Sequence, residues 1–133
     1  MIPSLPPAQA LRLTVIRAAL LLGLLLFGAA TWFQQTHGSL PQLPSNATRL
    51  YGYVFAGLVP CAVAGMFLMR KRIEAASEIP QMIPLYIAGY AMAEGVALFG
   101  AVTWFLGGDR TWYIAGLVVM VVAFQILPIN RQR

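Results

Sequence analysis

The sequence predicts an all-α fold, an integral membrane bundle of four transmembrane helices in one domain, with both termini cytoplasmic. Three observations predict it. Hydrophobic residues make up 59% of the 133 and charged residues only 10%, against about 25% charged in soluble domains. The apolar residues gather into four segments, each near the roughly 20 residues that cross a hydrocarbon core. The cations between those segments are distributed one-sidedly, as the bias of cytoplasmic loops towards Lys and Arg requires.

The first segment covers residues 11–33, with Arg12 and Arg17 in its opening turns. A signal peptide is the competing reading, because Gly28, Ala29 and Ala30 make a passable cleavage pattern after an apolar run. We take the segment as a retained helix whose two arginines snorkel to the headgroups. The second segment, residues 50–69, carries no charge, and Pro60 inside it predicts a kink. The third, residues 83–106, is interrupted by Glu94 alone, and the fourth, residues 111–129, is uncharged. Helices are the only spanning option here, since open strands would leave backbone groups unpaired in lipid.

With the N-terminus inside, Arg12, Arg17, Arg70, Lys71, Arg72, Arg131 and Arg133 lie on the cytoplasmic side and only Arg49 and Arg110 outside. That bias sets the orientation and points to a bacterial inner membrane. Trp32, Tyr51, Tyr53, Trp104, Trp112 and Tyr113 then gather at the outer interface as an aromatic belt. The net charge of +5 is explained by this loop bias, so nucleic acid is not an expected partner. Arg70, Lys71 and Arg72 are instead candidates for anionic lipid headgroups, in a solvated connector running to Gln81.

Small residues mark where helices touch in lipid, because they admit close backbone approach. Gly57, Cys61 and Gly65 form such a ridge on the second segment; Gly89, Ala93, Ala97 and Ala101 form one on the third. The expectation is that these two ridges meet. The methionines are read as gap fillers.

Glu94 is the expensive residue, since an acidic side chain at the centre of a span costs about 2.5–3.5 kcal/mol on insertion scales. It is expected to face packed protein, near Tyr90 one turn earlier. Three situations stay open for it: neutral and hydrogen-bonded within the bundle, paired with another chain, or loading and unloading a proton. Tyr90 and Gln125 form a second expected polar pair. His37 is the single histidine and Cys61 the single cysteine. A zinc cluster and an internal disulfide are therefore not expected, and His37 is the weak candidate for a metal, haem, pigment or quinone site.

Residues 91–102, AMAEGVALFGAV, resemble the ion-carrying helix of the rotary ATP synthase c subunit. In that family an acidic residue stands among small residues and is followed by an aliphatic, an aromatic and a glycine, as in Leu98, Phe99 and Gly100. The resemblance implies a proton-carrier role for Glu94. It is confined to this stretch of the third segment.

No acid, base and nucleophile are spaced to converge, so an enzyme is not expected. The function expected is a small non-catalytic subunit of a multi-subunit energy-converting complex, respiratory or photosynthetic, in an electron-transport setting. Glu94 would lie buried at a helix or subunit contact, and the partners would be other membrane subunits and lipids. The alternative is an ion-translocating protein, resembling the c subunit or a small transporter, with Glu94 as carrier. No definite cofactor follows from either.

Overall fold

The computed structural model describes residues 2, 4–38 and 43–130; Arg131 and Arg133 lie outside them. Four helices follow in order: α1 (Pro7–His37), α2 (Ser45–Ala75), α3 (Ile79–Phe105) and α4 (Thr111–Ile126). The first three are each long and apolar enough to cross a bilayer. The chain is an all-α integral membrane protein.

The helices outrun the apolar segments because their ends continue into polar sequence that still favours helix. Pro7 opens α1 and Pro80 stands in the first turn of α3, positions where a missing N–H is no loss. At the other end of α2, Arg70, Lys71 and Arg72 belong to the helix and not to a connector. Those are good helix formers, and Arg70 also pairs with Glu74 one turn on, at 3.2 Å. α4 behaves differently. It has 16 residues, about 24 Å at 1.5 Å per residue, and stops three residues before the expected Ile129. Leu127 precedes Pro128, which disfavours helical backbone, and it leaves the helix with φ −114° and ψ 66°.

α3 and α4 form the central hairpin. Gly107 N–H donates to Trp104 O and Gly108 N–H to Thr103 O, the Schellman pattern that closes a helix. That pattern needs a left-handed residue, and Gly107 supplies it with φ 93°. Asp109 then accepts from both the amide and the hydroxyl of Thr111, at 2.9 and 2.8 Å. The hydrogen bonds from the Thr111 amide and then its hydroxyl hold the Asp109 carboxyl below the ordinary range.

Small residues let the two hairpin helices close. A Cβ on Gly116 of α4 would stand 2.8 Å from Ala97 Cα, and Ala93, Ala97 and Ala101 are all buried. The predicted ridge on α3 therefore meets α4 at Ala97, and at Gly89 it lies near Met69 of α2. Gly57 and Cys61 are exposed, with open space around Gly57. Only Gly65 of that ridge meets α3, through Met92 Sδ. The reason is helix phase: α2 turns Gly52, Phe55, Ala62, Met66 and Ile73 inward. Gly89 receives Leu127 of the segment after α4.

α1 and α2 each pack on α3 and α4, but not on each other. They lie on opposite sides of the central hairpin. Both ends of the chain meet at the end away from the α3–α4 turn, where Leu5 N–H donates to Asn130 O at 2.8 Å. Asn130 Nδ2 donates to Ile2 O at 3.1 Å, and Ile2 and Leu5 are buried. This is the terminal end of the bundle.

Two expectations follow. Gly116→Leu should destabilise the isolated protein by about 1–3 kcal/mol through overpacking, read as a lower unfolding midpoint in mixed micelles; Gly57→Leu should not move it. The depressed Asp109 carboxyl contributes stability above the ordinary aspartate value of about 3.9, lost only as pH falls through its lower folded value. The Thr111 amide shift should thus be unchanged between pH 7 and pH 5 and move only below pH 4.

Candidate functional site

Arg17, Arg70, Tyr86 and Tyr90 converge on the end of α4 and the two residues after it. The last four carbonyls of any helix have no partner within it, and in hydrocarbon no water replaces that partner. α4 is too short to carry its carbonyls across a core of about 30 Å. Its neighbours reach them instead.

Arg17 of α1 is the main donor. Its Nη2 donates to Leu127 O, and to Phe124 O at 3.2 Å, while Nε donates to the Tyr90 hydroxyl at 2.8 Å. The guanidinium carbon lies 4.8 Å from the Tyr90 ring centre and 4.9 Å from that of Phe124, within cation–π range. Tyr90 passes the bond on, donating to Leu127 O at 3.0 Å. Tyr86, one turn earlier on α3, donates to Pro128 O at 3.1 Å. Arg70 of α2 adds a longer contact to Ile126 O at 3.5 Å, and Leu127 N–H donates to Ala123 O at 2.9 Å. Three helices thus fasten the end of the fourth. Tyr86 and Tyr90 are fully buried, whereas Arg17 is half-buried.

The guanidinium brings a positive charge and a planar fork of N–H donors to this collar. Its chemistry is that of a helix cap, with the cation at the negative end of the α4 dipole. The sequence placed Arg17 among the snorkelling residues; the structure turns it inward. Five residues separate it from Arg12, about 7.5 Å along the helix, and that depth brings it level with the end of α4. The signal was present in Pro128, which stops α4 early.

Glu94 is not buried. It is half-exposed at the border of the packed face of α3, and among the described residues no charged side chain is buried. The helix phase explains this: Tyr90 and Ala97 on one side of it point inward, while Ala91 and Leu98 on the other are exposed. Tyr90 is taken by Arg17 and Leu127, and Gln125 is exposed. The Tyr90–Gln125 pair is therefore not made.

These placements overturn the expectations built on a buried intramembrane glutamate: the energy-converting, electron-transport subunit and the ion-translocating alternative. The c-subunit-like reading of residues 91–102 falls with them, because Glu94 is not enclosed by the bundle. His37 is exposed, stacked on Phe33 with ring centres 4.5 Å apart, and its Nδ1 is 2.8 Å from Thr36 Oγ1. No group of metal-binding side chains occurs among the described residues. No protein-family model, curated protein or solved structure matches this chain.

Arg17→Gln should cost about 1.5–3 kcal/mol, the range for a hydrogen bond from a charged donor, and Tyr90→Phe about 1 kcal/mol. Both should speed amide exchange in residues 124–130 more than in α1. Equal protection there in Arg17→Gln and the unsubstituted chain would show that Arg17 does not fasten the end of α4.

Proposed function

We propose that the chain is a non-catalytic integral membrane protein that works by association with other membrane-embedded chains. The observation that carries this reading is the one-sided packing of α1. Its inner face offers Ala10, Leu13, Leu24, Gly28 and Thr31 to the bundle. Its outer face presents Leu11, Val15, Leu22, Leu25 and Leu26, together with exposed Ala19 and Gly23. A Cβ on Gly23 would meet nothing within 4 Å. A glycine inside a helix costs up to about 1 kcal/mol relative to alanine, and in lipid its return is close approach by a second helix. Among the described residues nothing makes that approach.

The collar supports the same reading from the opposite direction. Arg17, Tyr86 and Tyr90 are engaged in holding α4, which is a structural use of strongly polar groups. The charge bias supports an orientation with both termini cytoplasmic in a bacterial inner membrane.

Extracted in a mild detergent, the chain should migrate on blue-native electrophoresis as a species larger than its monomer. Gly23→Leu, which fills the open face without touching the bundle, should shift it towards the monomer. Migration as a monomer from native membranes would overturn the reading.

A further inference from the structure

We propose that the crevice between α2 and α3 binds an anionic phospholipid, with its phosphate on Arg72 and Lys71 and one acyl chain lying along the crevice. This goes beyond the helix-association reading and does not depend on it, because it uses a different face.

The crevice has a volume of about 420 Å³ and is lined by Leu58, Cys61, Ala62, Met92, Gly95 and Val96. That volume lies in the range of about 300–1,000 Å³ that accepts small ligands. Its walls are apolar and it opens sideways, towards the bilayer. It exists because small side chains line it: a Cβ on Gly95 would meet nothing within 4 Å, and Cys61 opposite is exposed. Nearer the terminal end the two helices close, where Gly65 meets Met92 Sδ.

Charge selects the occupant. Arg72 is eleven residues from Cys61, three turns on and therefore on the same stripe of α2. The separation is about 16 Å along the axis, against about 15 Å for half of the hydrocarbon core. A lipid with its phosphate at Arg72 has acyl chain at the depth of Cys61 and Gly95. The cations differ in availability. Arg70 is engaged by Glu74 and Ile126 O, whereas Lys71 and Arg72 are exposed and make no ion pair or hydrogen bond with a described residue. Two exposed cations, about 15–16 Å along α2 from Cys61 and beyond the close contact at Gly65, match one phosphate whose alkyl chain reaches back to the crevice. A neutral partner helix would leave both unanswered.

Native mass spectrometry of the purified chain, with phosphatidylglycerol or phosphatidylcholine of identical acyl chains, tests this. The chain should retain phosphatidylglycerol preferentially. Replacing Arg72→Gln and Lys71→Gln together should lower its retention about fivefold per cation, down to the phosphatidylcholine level. Gly95→Leu fills the crevice without a clash and should lower retention of both lipids, with helix content by circular dichroism unchanged. Arg49→Gln, at the opposite end, should change neither. Equal retention of the two lipids by the unsubstituted chain would overturn the proposal. So would retention indifferent to the Arg72 and Lys71 changes or to Gly95→Leu, or a bound polypeptide in place of lipid.

Discussion

A helix that stops early leaves carbonyl groups without partners at its end, and the architecture of this protein is organised around that constraint. α4 stops at Ile126 because Pro128 follows Leu127, which prevents the helix from continuing. Its free carbonyls would each cost several kcal/mol if abandoned in lipid. Arg17 of α1 and Arg70 of α2 meet two of them, at Phe124 O and Ile126 O, while Tyr86 and Tyr90 of α3 take the carbonyls of Pro128 and Leu127 just beyond the helix. The short helix and the two residues after it therefore draw a donor from each of the other three helices. Without that demand, α1 would have few polar reasons to lie where it does.

The remaining cohesion is steric. α3 and α4 approach closely because Gly116 rests on Ala97, and a membrane offers helices packing rather than hydrophobic exclusion as the reason to associate. α1 and α2 then sit on opposite flanks of this hairpin without touching each other. That arrangement exposes one broad apolar side of each flanking helix. It also leaves the α2–α3 seam open near Cys61, where the facing residues are too small to fill it.

The Arg17 guanidinium, shared between the Tyr90 hydroxyl and the Phe124 and Leu127 carbonyls, ties α1 to α3 and to the end of α4. The association and the lipid binding that we propose both use the outer surface, where apolar faces lie beside exposed cations. The two faces identified differ in character. The outer side of α1 is apolar with an open glycine, whereas the α2–α3 crevice is apolar and lies three turns along α2 from the exposed Arg72.

The expectation that failed and the site that was missed share one cause. Glu94 was singled out for its cost in a span, and Arg17 was assigned to the headgroups for its place near a helix end. Both judgements used position along a helix and neither could use direction around it. Glu94 falls at the border between packed and exposed faces, while Arg17 turns inward at the depth where α4 ends. By itself the sequence determined the membrane class, the four helices and the approximate segments, because hydropathy and length act along the chain. Tertiary structure alone decided which face of each helix is buried, which ridges meet and where the polar groups converge. Those depend on helix phase and on one helix stopping early, and both become definite only when the four are packed together.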